Sequence, residues 1–278
     1  MQTSNIPMKT LIVGAGKMGS WLAEVLNERH EVALLDNKPG LQLPSGCKQL
    51  EKIHEISSYN PDMLVNAVPL DKTINVFGDL LEYLHPQTLI ADMASVKNGL
   101  AQFYKTCGFR FVSTHPMFGP TFANMKDLSQ EHAIIIEESD PLGKTFFNHL
   151  FADLGLQVYL MNFQQHDENM AASLSKPFLL TLLFGSNLDQ NVHPGTTYAK
   201  HHHIAKGLLS EDDSLLCEVL MNQATLQMMD QLQDKMQQMK HAIIQGDKQG
   251  LVRFIQDIRN HFPPPQKEEK KDRRQNVL

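Results

Sequence analysis

The sequence predicts an α/β fold, a doubly wound sheet followed by an all-α C-terminal domain. Three observations predict it. From Lys9 to about Met161, short β-branched runs alternate with helical stretches, the pattern of a parallel sheet covered by helices. A glycine-rich turn, Gly14-Ala15-Gly16-Lys17-Met18-Gly19, joins the first run to the first helical stretch. After Phe163 the strand signals stop and helical patterns continue alone. A chain of 278 residues favours two domains over one core. The expected boundaries are residues 1–161 for the sheet domain and 162–262 for the helical domain, with a tail over 263–278. That tail, PPPQKEEKKDRRQNVL, is proline-led and charge-dense, a composition that predicts disorder.

Taken in order, the expected strands are TLIVG, EVALLD, DMLVNAV, TLIADMA, FRFVSTH, HAIIIEE and LQVYL, with helices such as Met18 to Glu28 and Lys97 to Thr106 between them. In the helical part, polar breaks fall at Asn191 to Thr196 and around Ser210. Ser210 and Asp213 have the spacing of a capping box, which predicts a helix starting at Glu211. Leu226, Met229, Leu232, Met236, Met239 and Ile243 recur every three or four residues and form one apolar stripe. Such a stripe is buried either within its own subunit or in a dimer interface, and a homodimer is expected.

Composition narrows the function classes. A hydrophobic share of 42% with 20% charged residues is that of a water-soluble globular chain. A formal charge of -6 gives no general attraction to nucleic acid or anionic lipid. Cys47, Cys107 and Cys217 are odd in number and far apart, so they read as reduced thiols without a zinc or redox spacing. The start, MQTSNIPMK, lacks a signal-peptide core, and the apolar run from Pro177 to Phe184 is too short to cross a bilayer. A cytoplasmic protein acting on a small molecule is expected, with no nucleic-acid, membrane or metal partner.

The turn is G-x-G-x-x-G in strand-to-helix context, which makes the sheet domain Rossmann-type. Gly14 permits the tight turn, Gly16 lets backbone approach a pyrophosphate, and Gly19 lets the helix pack closely on the sheet. The strand EVALLD ends in Asp36, seventeen residues after Gly19. A carboxylate there accepts from a ribose diol and repels a 2′-phosphate, which favours NAD over NADP; the plainer alternative is a solvated strand-end carboxylate.

Two strand-terminal segments carry candidate chemistry, ADMASVK at Ala91 to Lys97 and STHPMFGP at Ser113 to Pro120. Ligands of open α/β sheets bind at the carboxyl ends of strands. His115 leads the candidates, because imidazole exchanges protons near neutral pH and the prolines restrict its loop. Ser95 is the second, with helix capping near Val96 as its structural alternative.

With GAGKMG, ADMASVKNG, THPMFGP, HDENMA, GLLSEDD and GDKQGLVRFIQDIRNHF in this order, the sequence resembles the prephenate dehydrogenase family over nearly all of Lys9 to Phe262. The resemblance implies NAD-dependent oxidative decarboxylation of prephenate to 4-hydroxyphenylpyruvate in tyrosine biosynthesis. It implies that His115 draws the proton from the ring hydroxyl and that Ser95 holds hydroxyl and nicotinamide in register. The expected cofactor residues are Gly14, Gly16, Lys17, Met18, Gly19, Asp36, Val68 and Pro69, and the expected substrate residues are Lys200, His203 and Thr121. The sequence departs from the family in two places. No arginine lies between Tyr198 and Lys206, which leaves Lys200 and Lys206 as cations, and Phe178 stands where a histidine is common. On a helix Lys200 and His203 share a face, whereas His201 and His202 point elsewhere. His166, Asn169, Ser173 and Lys176 fall in one polar stripe, lining either the cleft or solvent. Three other readings stay open: an arogenate dehydrogenase, a β-hydroxyacid-type dehydrogenase with Lys176 as its lysine, and a nucleotide-sensing relative without catalysis.

Overall fold

In the computed structural model, which describes residues 7–38, 40–119, 123–189 and 191–262, eight strands build one sheet. They are β1 (Lys9–Val13), β2 (Glu31–Leu35), β3 (Lys48–Leu50), β4 (Met63–Asn66), β5 (Leu89–Asp92), β6 (Phe111–Pro116), β7 (His132–Ile136) and β8 (Gln157–Met161). Their spatial order is β3-β2-β1-β4-β5-β6-β7-β8. The first six follow the doubly wound order and pair in parallel, and β1 anchors the middle with β2 on one side and β4 on the other.

All seven strands read from the sequence are present, and β3 is an addition. It is a three-residue edge strand, KQL, with too few apolar positions to signal itself. The all-parallel expectation needs one correction, since β7 runs antiparallel to β6. A parallel return needs a crossover helix. The described part of the β6–β7 connection has none, so the chain doubles back. Crossover resumes through α5 (Pro141–Asp153), and β7 and β8 are parallel to each other.

Helices cover both faces because alternate strand residues face opposite cores. Ile12, Val65, Ala91 and Val112 meet α1 (Lys17–Asn27) and α5, contributing Leu22, Leu26, Phe147 and Phe151. Leu11, Val13, Leu64 and Ile90 meet α2 (Glu55–Tyr59), α3 (Thr73–Leu80) and α4 (Leu100–Thr106) through Ile56, Phe77, Leu100 and Tyr104.

After β8 the described chain is helical: α6 (Phe163–Met170), a π-helical turn at Ala171–Ser175, then α7 (Lys176–Ser186), α8 (Thr196–Leu208), α9 (Asp213–Leu220), α10 (Gln223–Ile244) and α11 (Lys248–Arg259). The described residues divide between Met228 and Met229 into two compact units. Within the second, Met236, Met239, Ile243 and Ile244 of α10 and Val252, Ile255 and Ile258 of α11 are exposed. The helix expected from Glu211 begins instead at Asp213, capped by Asp212, whose carboxylate accepts the Ser214 N–H. Ser210 is diverted from capping because its hydroxyl donates back to the Gly207 carbonyl at 2.7 Å. The expected 263–278 tail lies outside the described residues.

The β1–α1 turn is where glycine is required. Gly14 has φ +96°, and a Cβ there would meet the Ala67 backbone at 2.8 Å. A Cβ on Gly19 would fall 1.9 Å from the Gly14 carbonyl oxygen, whereas one on Gly16 would meet nothing within 4 Å. Gly19 therefore serves packing, and Gly16 faces open space. Gly19→Ala is expected to cost about 3 kcal/mol of stability by overpacking. Gly16→Ala is expected to cost no more than about 1 kcal/mol, as a change of N-cap residue. Chemical denaturation of the two variants checks the contrast, and equal losses would refute the division of roles.

Candidate active site

The turn and the end of β2 form a cradle at the carboxyl edge of the sheet. Gly16 is the N-cap of α1, and no side chain caps the first turn, so its leading N–H groups are free for an anion. The open space over Gly16 fits a dinucleotide pyrophosphate. Asp36 follows β2 and accepts the Ala15 N–H at 2.6 Å and the Lys38 N–H at 2.8 Å. The carboxylate that the sequence assigns to a ribose thus also braces the glycine turn. Lys17 is exposed and Met18 partly so at the start of α1. Val68 and Pro69 follow β4, where Asn66 orders the loop by accepting the Val68 N–H and donating to the Thr73 carbonyl.

His115 sits at the carboxyl end of β6, beside the end of β5, and there the fold assembles a linked polar cluster. His115 Nδ1 lies 3.1 Å from His166 Nε2, and His166 Nδ1 lies 3.0 Å from Asp167 Oδ1. Hydrogen-bond logic assigns the protons. The Asp167 carboxylate only accepts, so His166 Nδ1 carries hydrogen and its neutral Nε2 must accept. His115 then donates through Nδ1, which leaves Nε2 with a free lone pair. His115 retains 5% exposure and His166 none, so His115 is the member that can meet a ligand. Burial, then the His166 imidazole and the Lys97 ammonium, hold His115 well below the ordinary histidine value. Burial lowers His166 as well, against the opposing pull of Asp167.

Local sequence explains why α6 delivers His166. Asn162 and Gln165 form a capping box that starts the helix. Phe163, its first residue, packs within 6.3 Å of the Phe111 ring of β6, and Phe111 in turn stacks on Tyr104 at 4.1 Å. Anchored at Phe163 against β6, the helix turns His166 inward beside His115. The π-helical turn then breaks the regular spacing, so the expected polar stripe from His166 to Lys176 does not hold together: His166 is buried, whereas Ser173 is exposed and bonds to the Asn169 carbonyl. π-turns of this kind recur at functional sites.

Under His115 lies a buried ion pair. Lys97 Nζ donates to Asp92 Oδ1 at 2.6 Å and to the Thr114 carbonyl at 2.7 Å, and neither side chain of the pair reaches solvent. Burial lowers the Lys97 ammonium from the ordinary lysine value, against the pull of Asp92. Tyr104 donates to the second Asp92 oxygen at 2.7 Å, and burial followed by Asp92 raises its phenol well above the usual range, so it stays a donor. The sequence placed Lys97 at a helix start, but α4 begins at Leu100 because the 93–99 segment is spent on these contacts. Ser95 consequently caps no helix; it is half-buried in this loop and makes no side-chain hydrogen bond among the described residues.

His115, Ser95 and the glycine turn thus share the carboxyl edge of neighbouring parallel strands. Lys200 and His203 lie on one face of α8, both exposed, and among the described residues Lys200 is in no ion pair. Thr121 lies outside the described residues. His166, Asp167, Asp92 and Tyr104 are the participants the motif reading passed over as a working set. The adjacent His166-Asp167 pair at a helix start was the available signal.

Residues 30–150 match the family model described as "Prephenate dehydrogenase, nucleotide-binding domain". The T-protein of Haemophilus influenzae is 22% identical over 270 residues, covering 93% of this chain and 68% of that protein. A probable arogenate/prephenate dehydrogenase of Methanocaldococcus jannaschii is 20% identical over 287 residues, covering 94% and 62%. The chain therefore spans about two thirds of the length of these relatives. Among solved structures, prephenate dehydrogenase from A. aeolicus, in complex with hydroxyphenyl propionate and NAD+, superposes with a TM-score of 0.79 at 17% identity, covering 94% of this chain and 98% of that one. Residues 30–150 thus match the prephenate dehydrogenase nucleotide-binding domain model, and the chain carries the fold of that solved enzyme.

Proposed function

We propose that the protein is an NAD-dependent prephenate dehydrogenase, converting prephenate to 4-hydroxyphenylpyruvate and carbon dioxide on the way to tyrosine. The observation that carries the reading is His115 Nε2, left with a free lone pair by the bond to His166 and lying at the same carboxyl edge of the sheet as the glycine turn. Bound there, NAD supplies the hydride acceptor. Gly16, Lys17, Met18, Val68 and Pro69 would hold it on the turn that Gly14 and Gly19 shape, and Asp36 would select its ribose. His115 Nε2 takes the proton of the ring hydroxyl as that oxygen becomes a carbonyl. The ring carboxylate leaves as carbon dioxide, its bonding electrons pass through the ring to the carbonyl oxygen, and the phenolate so formed takes a proton back from His115 to give the phenol. Ser95, with its hydroxyl uncommitted, orients the substrate hydroxyl. The substrate brings the aromatisation energy, so the protein mainly positions it and carries one proton off the hydroxyl and back to the phenolate.

Prephenate carries two carboxylates that need cationic or N–H partners in a partly dry cleft. Lys97 is unavailable, since both of its acceptors lie inside the protein. Lys200, with His203 on the same face of α8, takes that role. The exposed α10 and α11 residues are covered by a second copy in a homodimer, and the location is cytoplasmic. Among the described residues, no helix is long and apolar enough to cross a membrane.

Spectrophotometric assay of NADH formation with prephenate and with arogenate tests the reading; prephenate should be turned over faster, and absence of turnover with both would overturn it. His115→Asn is expected to lower kcat by about 10²-fold or more. Lys200→Ala should instead raise the KM for prephenate and leave that for NAD unchanged. Because the base must be unprotonated and burial depresses His115, kcat/KM should be flat through neutrality. It should fall only well below pH 6.5, on the acid side of an ordinary histidine. Asp36→Ala removes a turn brace together with the ribose partner, so affinity for NAD and NADP both fall. The measured preference for NAD over NADP should shrink toward parity. Light scattering at micromolar concentration should give twice the chain mass, and a concentration-independent monomer would remove the dimer.

A further inference from the structure

Lys97 touches both halves of the histidine pair's scaffold. Its ammonium donates to the Thr114 carbonyl, one residue before His115, and to Asp92 at the end of β5. Its backbone N–H reaches Asp167 Oδ1 at 3.4 Å, the same oxygen that holds His166. Asp92 is fixed in turn by the Tyr104 hydroxyl, by the Ala94 N–H at 3.0 Å, and by the Thr114 hydroxyl, which donates to the Asp92 carbonyl at 2.9 Å. One residue thereby ties together the β5 loop that carries Ser95, the strand that carries His115 and the helix that carries His166.

We propose that Lys97 is the positioning residue that keeps His115 an unprotonated, correctly aimed base. This inference rests on the reading of His115 as the proton acceptor. Stability does not account for the pair, because burying two charges brings little or no net gain over apolar side chains of similar size. A fixed cation beside two imidazoles, however, disfavours a proton on either one. The groups facing His115 are His166 from α6 and Lys97 from the loop after β5. Asp167 and Asp92 stand behind them, each carboxylate already hydrogen-bonded, and the Tyr104 phenol closes the cluster from α4. The cation is thus held on the backbone carbonyl of the residue before the base, while Asp92, its counter-ion, also accepts from Tyr104 and Ala94.

The test is the Asp92→Asn/Lys97→Met double variant, which removes both charges and keeps one amide oxygen to accept from Tyr104 or Ala94, which use different Asp92 oxygens in the parent. Nitrogen NMR of histidine-labelled full-length protein should find His115 in the parent protonated at Nδ1 and bare at Nε2, staying neutral to well below pH 6.5. In the variant its midpoint should rise by about one pH unit. The acid limb of kcat/KM for prephenate should move by the same amount, with the KM for NAD unchanged. A folded variant with an unmoved His115 midpoint would overturn the proposal and leave Lys97 a packing residue. Should the variant not fold, the parent decides. Coupling is reciprocal, so the Lys97 ammonium resonance must shift at the pH where His115 titrates, and no shift there overturns the proposal. If the parent turns over neither prephenate nor arogenate, the functional reading falls, while the NMR comparison still decides whether Lys97 governs His115.

Discussion

A fully buried ammonium is tolerable only when its donors are satisfied and its charge is matched, and in this protein that requirement organises the carboxyl edge of the sheet. Lys97 meets it with a carboxylate from β5 and a backbone carbonyl from β6, so the two strands end in fixed relation to each other. Removing one partner of such a pair costs about 3–5 kcal/mol, because the remaining charge is stranded without solvent. The segment from Met93 to Gly99 accordingly runs as a loop rather than as helix, and the Ser95 hydroxyl there makes no hydrogen bond among the described residues.

The neighbouring histidines follow the same rule on a smaller scale. Two buried imidazoles in hydrogen-bond contact have to settle which nitrogen donates, and Asp167 settles it from outside the pair by accepting the His166 Nδ1–H. Direction then passes along the chain of bonds to His115. Aromatic packing of Phe163 on Phe111 keeps the geometry in place, and Tyr104 serves twice, as a stacking partner for Phe111 and as a donor to Asp92. Packing and polar order are therefore carried by the same few side chains.

The cofactor edge shows a comparable economy. Gly19 exists for the close approach of helix and strand, Gly14 for its positive φ against the Ala67 backbone, and only Gly16 opens onto space. Asp36 contributes to the turn's own order through the Ala15 N–H, so the carboxylate proposed to recognise a ribose is also part of the scaffold. The antiparallel β7 marks where the crossover rule ends. Without a helix in the described part of its connection the chain reverses after the His115 loop, and Ile134 and Ile136 on the reversed strand form the surface against which Met170 of α6 is buried.

The sequence by itself determined what depends on neighbouring residues along the chain. Alternating apolar runs marked seven of the strands, the glycine spacing marked the strand-to-helix turn, and Asp36 and His115 stood out because each closes a strand. Local pattern was silent where an outcome depends on distant partners. KQL became a strand only through pairing at the sheet edge, and Ser210 lost its capping role to a carbonyl of the preceding helix. The direction of β7 depended on a missing crossover. The partnership of His115 with His166, 51 residues away, and of Lys97 with Thr114, 17 residues away, was decided by tertiary structure alone. Satisfying a buried charge or choosing a buried tautomer requires groups that only the folded chain brings within hydrogen-bond distance.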